Sequence, residues 1–243
     1  MEHAGETPLV GILGGMGPAA TVDFYSKLVA ATPATRDQDH LKVMIWSDPS
    51  VPDRSMAISG EGESPVPALS RGAQALKDAG ADFYVVTCNG AHAFLPEVRE
   101  RVDLEYLSIV DVAAEHLGSL PHVKKAGVLA TNATITAQLY QRGLRAVGVD
   151  PVLPGVEDQR TVMEAIYAVK SGTLGPTERR ALIQVTEWMA AQGADIVLGA
   201  CTEIPLALDP QESARPLIDP AVLLANRVIH EASSRTGSEM EAF

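Results

Sequence analysis

The sequence predicts an α/β fold built from two related halves. Three observations predict it. Short apolar runs alternate with helical patterns, the apolar runs are uninterrupted, and two segments of the first half recur in the second. Uninterrupted β-rich runs suit strands covered on both faces of a parallel sheet, and a βαβα order suits helices laid against that sheet. Strands are expected over 9–13, 43–46, 83–87, 126–130 and 196–200. Helices are expected over 19–31, 69–79, 134–146, 160–170, 176–192 and 220–233. Pro176, followed by Thr177 and Glu178, is a good helix opening. Residues 55–72, with Gly60-Glu61-Gly62-Glu63-Ser64-Pro65, read as a mobile surface loop.

The recurrence is specific. Gly80-Ala81-Asp82-Phe83-Tyr84-Val85-Val86-Thr87-Cys88 aligns with Gly193-Ala194-Asp195-Ile196-Val197-Leu198-Gly199-Ala200-Cys201, 113 positions on. Val10-Gly11-Ile12-Leu13 resembles Ala126-Gly127-Val128-Leu129, 116 positions on. The join falls near 118–123, where Gly, Ser, Pro and His break the pattern. The expected division is 1–117 and 118–209, with the C-terminal helix of 210–243 packing back on the first half. No linker separates the halves, so one unit with a central cleft is expected.

Composition excludes several classes. Of 243 residues, 46% are hydrophobic and 21% charged, which suits a packed core rather than a disordered chain. The net charge is −12, with no run of Lys or Arg longer than two, so a nucleic-acid partner is not expected. No apolar stretch reaches membrane-spanning length, and the polar, acidic start is unlike a signal peptide. A cytoplasmic protein is expected, with Cys88 and Cys201 as free thiols.

The two cysteines carry the chemistry. In open α/β sheets ligands bind at the carboxyl ends of strands. Both cysteines sit at such ends, each before an expected helix whose N-terminus favours thiolate. If the halves are pseudo-symmetric, the thiols face each other, one to remove a proton from a carbon and one to return it from the other side. Gly15-Met16-Gly17-Pro18-Ala19-Ala20, with Asp48 after the second strand, fits a weak dinucleotide pattern or a tight turn for a small anion. Arg54 suits a bidentate carboxylate or a surface pair with Asp53. Lys170 suits either a site or the last turn of its helix. His92, four residues after Cys88, suits a Cys–His pair or a packed ring. No group has zinc-ligand spacing.

The motifs Gly14-Gly15-Met16-Gly17-Pro18-Ala19-Ala20-Thr21, Pro52-Asp53-Arg54, Thr87-Cys88-Asn89-Gly90-Ala91-His92 and Gly199-Ala200-Cys201-Thr202-Glu203-Ile204-Pro205-Leu206 resemble those of the aspartate/glutamate racemases. So does the stretch from Glu157 to Lys170. The resemblance runs from about residue 9 to 230. It implies two pseudo-symmetric, Rossmann-like subdomains with the active site in the cleft between them, usually in a homodimer. It implies racemisation of a small acidic amino acid by two bases, without pyridoxal phosphate or another cofactor, and with no metal. Cys88 and Cys201 match the catalytic cysteines. Arg54 and Lys170 match residues that bind a substrate carboxylate, Asn89 and Thr202 those that hold its amino and α-carboxylate groups, and Met16 and Thr134 pocket positions. The chain departs from the family pattern at Thr87 and Gly90, at Ala200, and at Asn132-Ala133-Thr134. Maleate isomerases and arylmalonate decarboxylases use related cysteine sites and are the alternative that the resemblance leaves open. A dinucleotide-binding module is the alternative left by the glycine-rich turn.

Overall fold

Two four-stranded parallel sheets, ordered β2-β1-β3-β4 and β6-β5-β7-β8, repeat one topology. The computed structural model describes residues 7–236. The acidic start over 1–6 and the final stretch of the expected C-terminal segment, 237–243, lie outside the described residues. The first half runs β1 (Leu9–Gly14), α1 (Pro18–Ala31), β2 (Lys42–Ser47), α2 (Arg54–Ser59), α3 (Val66–Asp78), β3 (Phe83–Val86), α4 (Leu95–Arg101), β4 (Tyr106–Leu107) and α5 (Ile109–Gly118). The second runs β5 (Lys125–Leu129), α6 (Asn132–Thr136), α7 (Leu139–Ala146), β6 (Asp150–Val152), α8 (Val156–Ser171), α9 (Pro176–Ala191), β7 (Ile196–Gly199), α10 (Ile204–Ala207), β8 (Leu217–Ile218) and α11 (Pro220–Thr236).

The strand pattern decides the layers. Along a strand, alternate residues face opposite sides. Val10, Ile12, Phe83 and Val85 of one sheet, and Ala126, Val128, Ile196 and Leu198 of the other, point into one shared core. Helices α1, α5, α7 and α11 fill it: Phe24, Leu28, Ala113, Leu117, Tyr140, Leu144, Leu224 and Val228 are all buried there. The residues between them face outward. Leu13, Tyr84 and Val86 meet α3 and α4, and Leu129 and Val197 meet α8 and α9. α11 lies against both α1 and α5.

The repeated residues do the same work in each half. Asp82 accepts the Leu9 amide at 2.7 Å and Asp195 accepts those of Lys124 and Lys125 at 2.7 and 2.9 Å, so each aspartate holds the start of the first strand of its half. These backbone donors hold the Asp195 carboxyl below its ordinary value. Gly11 and Gly127 occupy matching positions in β1 and β5 and mark close approach. A Cβ on Gly11 would lie 3.0 Å from Leu76 and Tyr84, and one on Gly127 would lie 2.6 Å from the sulfur of Met189.

Three expectations change. Residues 55–72 are not a loop: Asp53 caps α2 by accepting the amides of Ser55 and Met56, and α3 begins at Val66 with Val66 and Leu69 fully buried. The helix expected over 134–146 is broken at Gln138, which takes the left-handed conformation (φ 54°) between α6 and α7. Short strands β4, β6 and β8 were not expected, because two or three residues show no period.

The glycine-rich turn after β1 is a packing device. Gly15 has φ +91°, and a Cβ there would lie 2.3 to 2.6 Å from the backbone of Asp48, whose amide donates to Gly14 at 3.3 Å. The Gly15 amide itself donates to Thr21 Oγ1 at 2.9 Å and is not free for an anion. Replacing Gly15 with Ala should cost about 3 kcal/mol, from left-handed strain and overpacking. Measured by calorimetry, the midpoint of unfolding should fall by roughly 6 to 12 °C for a chain of this size.

Candidate active site

The two halves bring their strand ends to one place. Cys88 follows β3 and opens the short turn Asn89–Ala93. Cys201 follows β7 and precedes α10. Both are free and buried. They line one cavity with Met16, Arg54, Asn89, Thr134, Lys170 and Thr202, the residues that the racemase resemblance pointed to, whereas His92 and Asp48 lie outside its lining. Asp53, Ser55, Gly90, Thr131 and Glu203 complete the lining. The cavity is small, about 30 Å³, which is room for one or two waters. An open cleft of about 620 Å³ adjoins it and shares Met16, Asp53, Arg54, Lys170 and Glu203 with it.

Arg54 reaches the cavity from the first turn of α2. Its guanidinium donates to the carbonyls of Val51 and Pro52 at 3.1 Å and of Met16 at 3.4 Å. The surface pair with Asp53 does not form, because that carboxylate caps α2. Arg54 Nε is buried with no partner. Asn89 is in the same condition: Tyr140 donates its hydroxyl to Oδ1, and the buried Nδ2 has no acceptor. Buried donors without partners are costly in a folded protein, and two of them belong to residues that line this cavity. Lys170, in the last turn of α8, forms no ion pair among the described residues. Thr134 N–H and Oγ1 are held by Thr131 Oγ1 at 3.2 and 3.0 Å.

The surroundings of the thiols differ. Cys201 Sγ donates to Glu203 Oε2 at 2.8 Å, and Thr202 Oγ1 donates to the same oxygen at 3.3 Å. Burial pushes the Cys201 thiol well above its ordinary value, and the Glu203 carboxylate adds to the rise. The thiolate-favouring helix end expected for this cysteine is thus outweighed.

His92 is not a partner of the Cys88 thiol. Its Nδ1 bonds the Cys88 carbonyl at 3.0 Å, and its Nε2 accepts the Ile109 amide at 3.3 Å, so the ring ties the turn to α5. Gly90 leaves space: a Cβ would meet Arg54 at 3.6 Å and Thr134 at 3.9 Å, ordinary contacts. Sequence reasoning missed Tyr140 and Glu203. Tyr140 lies 51 residues from Asn89 and carries no local signal. Glu203 stands two residues after Cys201 and was within reach of a search for acids beside each cysteine. Among the described residues no group of three His, Cys, Asp or Glu is placed to hold a metal ion, and no helix is long and apolar enough to cross a membrane.

Burial drives the His92 pKa down to about 4. The folded protein therefore resists protonation that the unfolded chain accepts near 6.5. The stability that depends on neutral His92 is complete above pH 6.5 and is lost as pH falls towards 4, by up to about 3 kcal/mol. In urea unfolding, the loss of stability between pH 7 and pH 4 should be larger for the native protein than for His92→Gln by about this amount.

Comparison with known proteins shows the family and the fold. The model of a family described as Asp/Glu/Hydantoin racemase matches residues 13–228. The broad specificity amino-acid racemase RacX of Bacillus subtilis (strain 168) is 32% identical over 228 residues, which cover 91% of this chain and 96% of that protein. The solved structure of Picrophilus torridus aspartate racemase superposes with a TM-score of 0.83 at 35% identity, covering 93% of this chain and 94% of the other. Glutamate racemase from Francisella tularensis, in complex with D-glutamate, shares the fold with a TM-score of 0.72 at 13% identity, over 97% of this chain and 84% of that one.

Proposed function

This chain belongs to the Asp/Glu/Hydantoin racemase family, and from that premise we propose that it racemises an acidic amino acid, aspartate or glutamate, with Cys88 and Cys201 as the two bases and no cofactor. The observation that carries the reading is the shared cavity, where two free thiols from different sheets meet two unpartnered buried donors and an unpaired lysine.

In the proposed reaction one cysteine, as thiolate, takes the α-proton and becomes a thiol. The other, as thiol, gives its proton to the opposite face and becomes a thiolate. The carbanion between them is stabilised by fixed donors in a narrow, largely buried site. Arg54 Nε and Lys170 suit the side-chain carboxylate. Asn89 Nδ2 and Thr202 suit the α-carboxylate and amino group, and Met16 and Thr134 close the walls. The adjoining cleft, which shares Met16, Arg54 and Lys170 with the inner cavity, is the route of entry in this reading.

The homodimer and the cytoplasmic setting belong to the same reading. Two thiols kept for chemistry suit a reducing compartment. Edge strand β2 exposes Met44, Ile45 and Trp46, and such edges invite pairing. Light scattering should give about twice the 25.7 kDa of one chain; a single-chain mass rejects the dimer.

The test is proton NMR in D₂O on the reduced protein, with each enantiomer of aspartate and glutamate offered separately and no pyridoxal phosphate. Loss of the α-proton signal with chiral interconversion is expected for one acid, and Cys88→Ser and Cys201→Ser should each abolish it. Silence on all four substrates would overturn the acidic reading and favour the isomerase or decarboxylase alternative. Lys170→Met should lower kcat/KM for the acidic substrate by about 10- to 100-fold, the worth of a charged hydrogen bond. It should barely affect any neutral amino acid that is turned over.

A further inference from the structure

We propose that Glu203 keeps the proton on Cys201, so that Cys88 is the thiol left to act as base in the resting enzyme. The inference rests on the two-thiol reading above and goes beyond it by giving the cysteines unequal starting states.

Glu203 is only 4% exposed. It stands between α10 and the cysteine, pairs with no cation among the described residues, and takes both the Cys201 thiol and the Thr202 hydroxyl on one oxygen. A thiol donates well to that oxygen. A thiolate there would set two negative charges within hydrogen-bond distance in a site with little water, and like charges so placed strongly favour the protonated form. Cys88 has no such neighbour: its sulfur makes no hydrogen bond to a carboxylate among the described residues. The other charged groups lining the cavity are Lys170, Arg54 and Asp53. Lys170 favours a Cys201 thiolate, but less strongly than burial and Glu203 oppose it. Asp53 is taken up by the amides of α2. Tyr140, also near Cys201, is held neutral by its burial.

The proton balance is closed. Cys88 gains the substrate proton, Cys201 loses its own, and Glu203 neither gains nor loses one. The step leaves a thiolate beside a carboxylate, the less stable of the two enzyme forms. That form returns by the reverse reaction on the product enantiomer, or by exchange with solvent in which Cys201 regains a proton and Cys88 gives one up. Glu203 is a positioning residue: it acts through Cys201.

Site-resolved alkylation tests this without any turnover. The protein is treated with iodoacetamide from pH 6 to 10, and each cysteine is followed by mass spectrometry of its peptide. The Cys201 rate is read against that of Cys88 in the same molecules, which cancels differences in cavity opening. In the native protein Cys88 should react first, and Cys201 only at higher pH. In Glu203→Gln the Cys201 to Cys88 ratio at pH 7 should rise about tenfold or more, since one unit of pKa is tenfold in thiolate. Glu203→Asp, which keeps the charge, should retain the native order even if the Gln variant fails to fold. Equal rates in the native protein, an unchanged ratio in Glu203→Gln, or Glu203→Asp behaving like Glu203→Gln would each overturn the assignment. The NMR assay fails independently: a protein that orders its thiols this way yet racemises nothing sinks the function and leaves Glu203's role standing.

Discussion

Each sheet is apolar on both faces, and the two inner faces share one layer of helices, α1 and α5 from the first half and α7 and α11 from the second. One helical layer therefore serves two sheets. Burial of apolar surface on this scale is the main favourable term in folding, and here it is shared, so neither sheet is covered without the other. The cleft follows from it. With both sheets packed on one layer and carrying the same strand order, the ends of β3 and β7 are brought to the same cavity.

That geometry was largely legible in the sequence, because it rests on repeated local signals. The Gly-Ala-Asp segments before β3 and β7 announced themselves by likeness, and each ends in an aspartate that holds its neighbour strand. What stayed hidden depends on contacts between distant residues or on elements too short to show a period. Strands β4, β6 and β8 are two or three residues long. The break at Gln138 sits between residues that all read as helical, and no Gly or Pro marks it. Residues 60–65 do carry turn signals, and these masked the Asp53 cap upstream and the buried Val66 downstream. The cysteines and Arg54, singled out in the sequence, line one cavity; Tyr140, which bonds Asn89 from the other half of the chain, carried no signal.

The site is electrostatically unfinished. Several polar groups are paired: Asp53 with the amides of α2, His92 with a carbonyl and an amide, Thr21 with Gly15, Gly17 and Thr87. At the cavity the structure leaves Arg54 Nε and Asn89 Nδ2 without acceptors. The cost of each is borne by the packing around it, since Arg54 is anchored through its other nitrogens and Asn89 through Tyr140. Donors fixed in this way need no reorganisation when an anion arrives, which is the condition under which they stabilise developing charge best.

The scaffold is nearly symmetric and the residues that follow its two cysteines are not: Asn89-Gly90 on one side, Thr202-Glu203 on the other. In a racemisation the two enantiomers have equal free energy, so kcat/KM must be the same in both directions whatever the site looks like. An unequal site cannot favour one product. It can change kcat and KM together for each enantiomer, and it can set the protonation state in which the free enzyme waits. A carboxylate beside one thiol alone is an asymmetry of that kind, placed where the equilibrium of the reaction does not feel it.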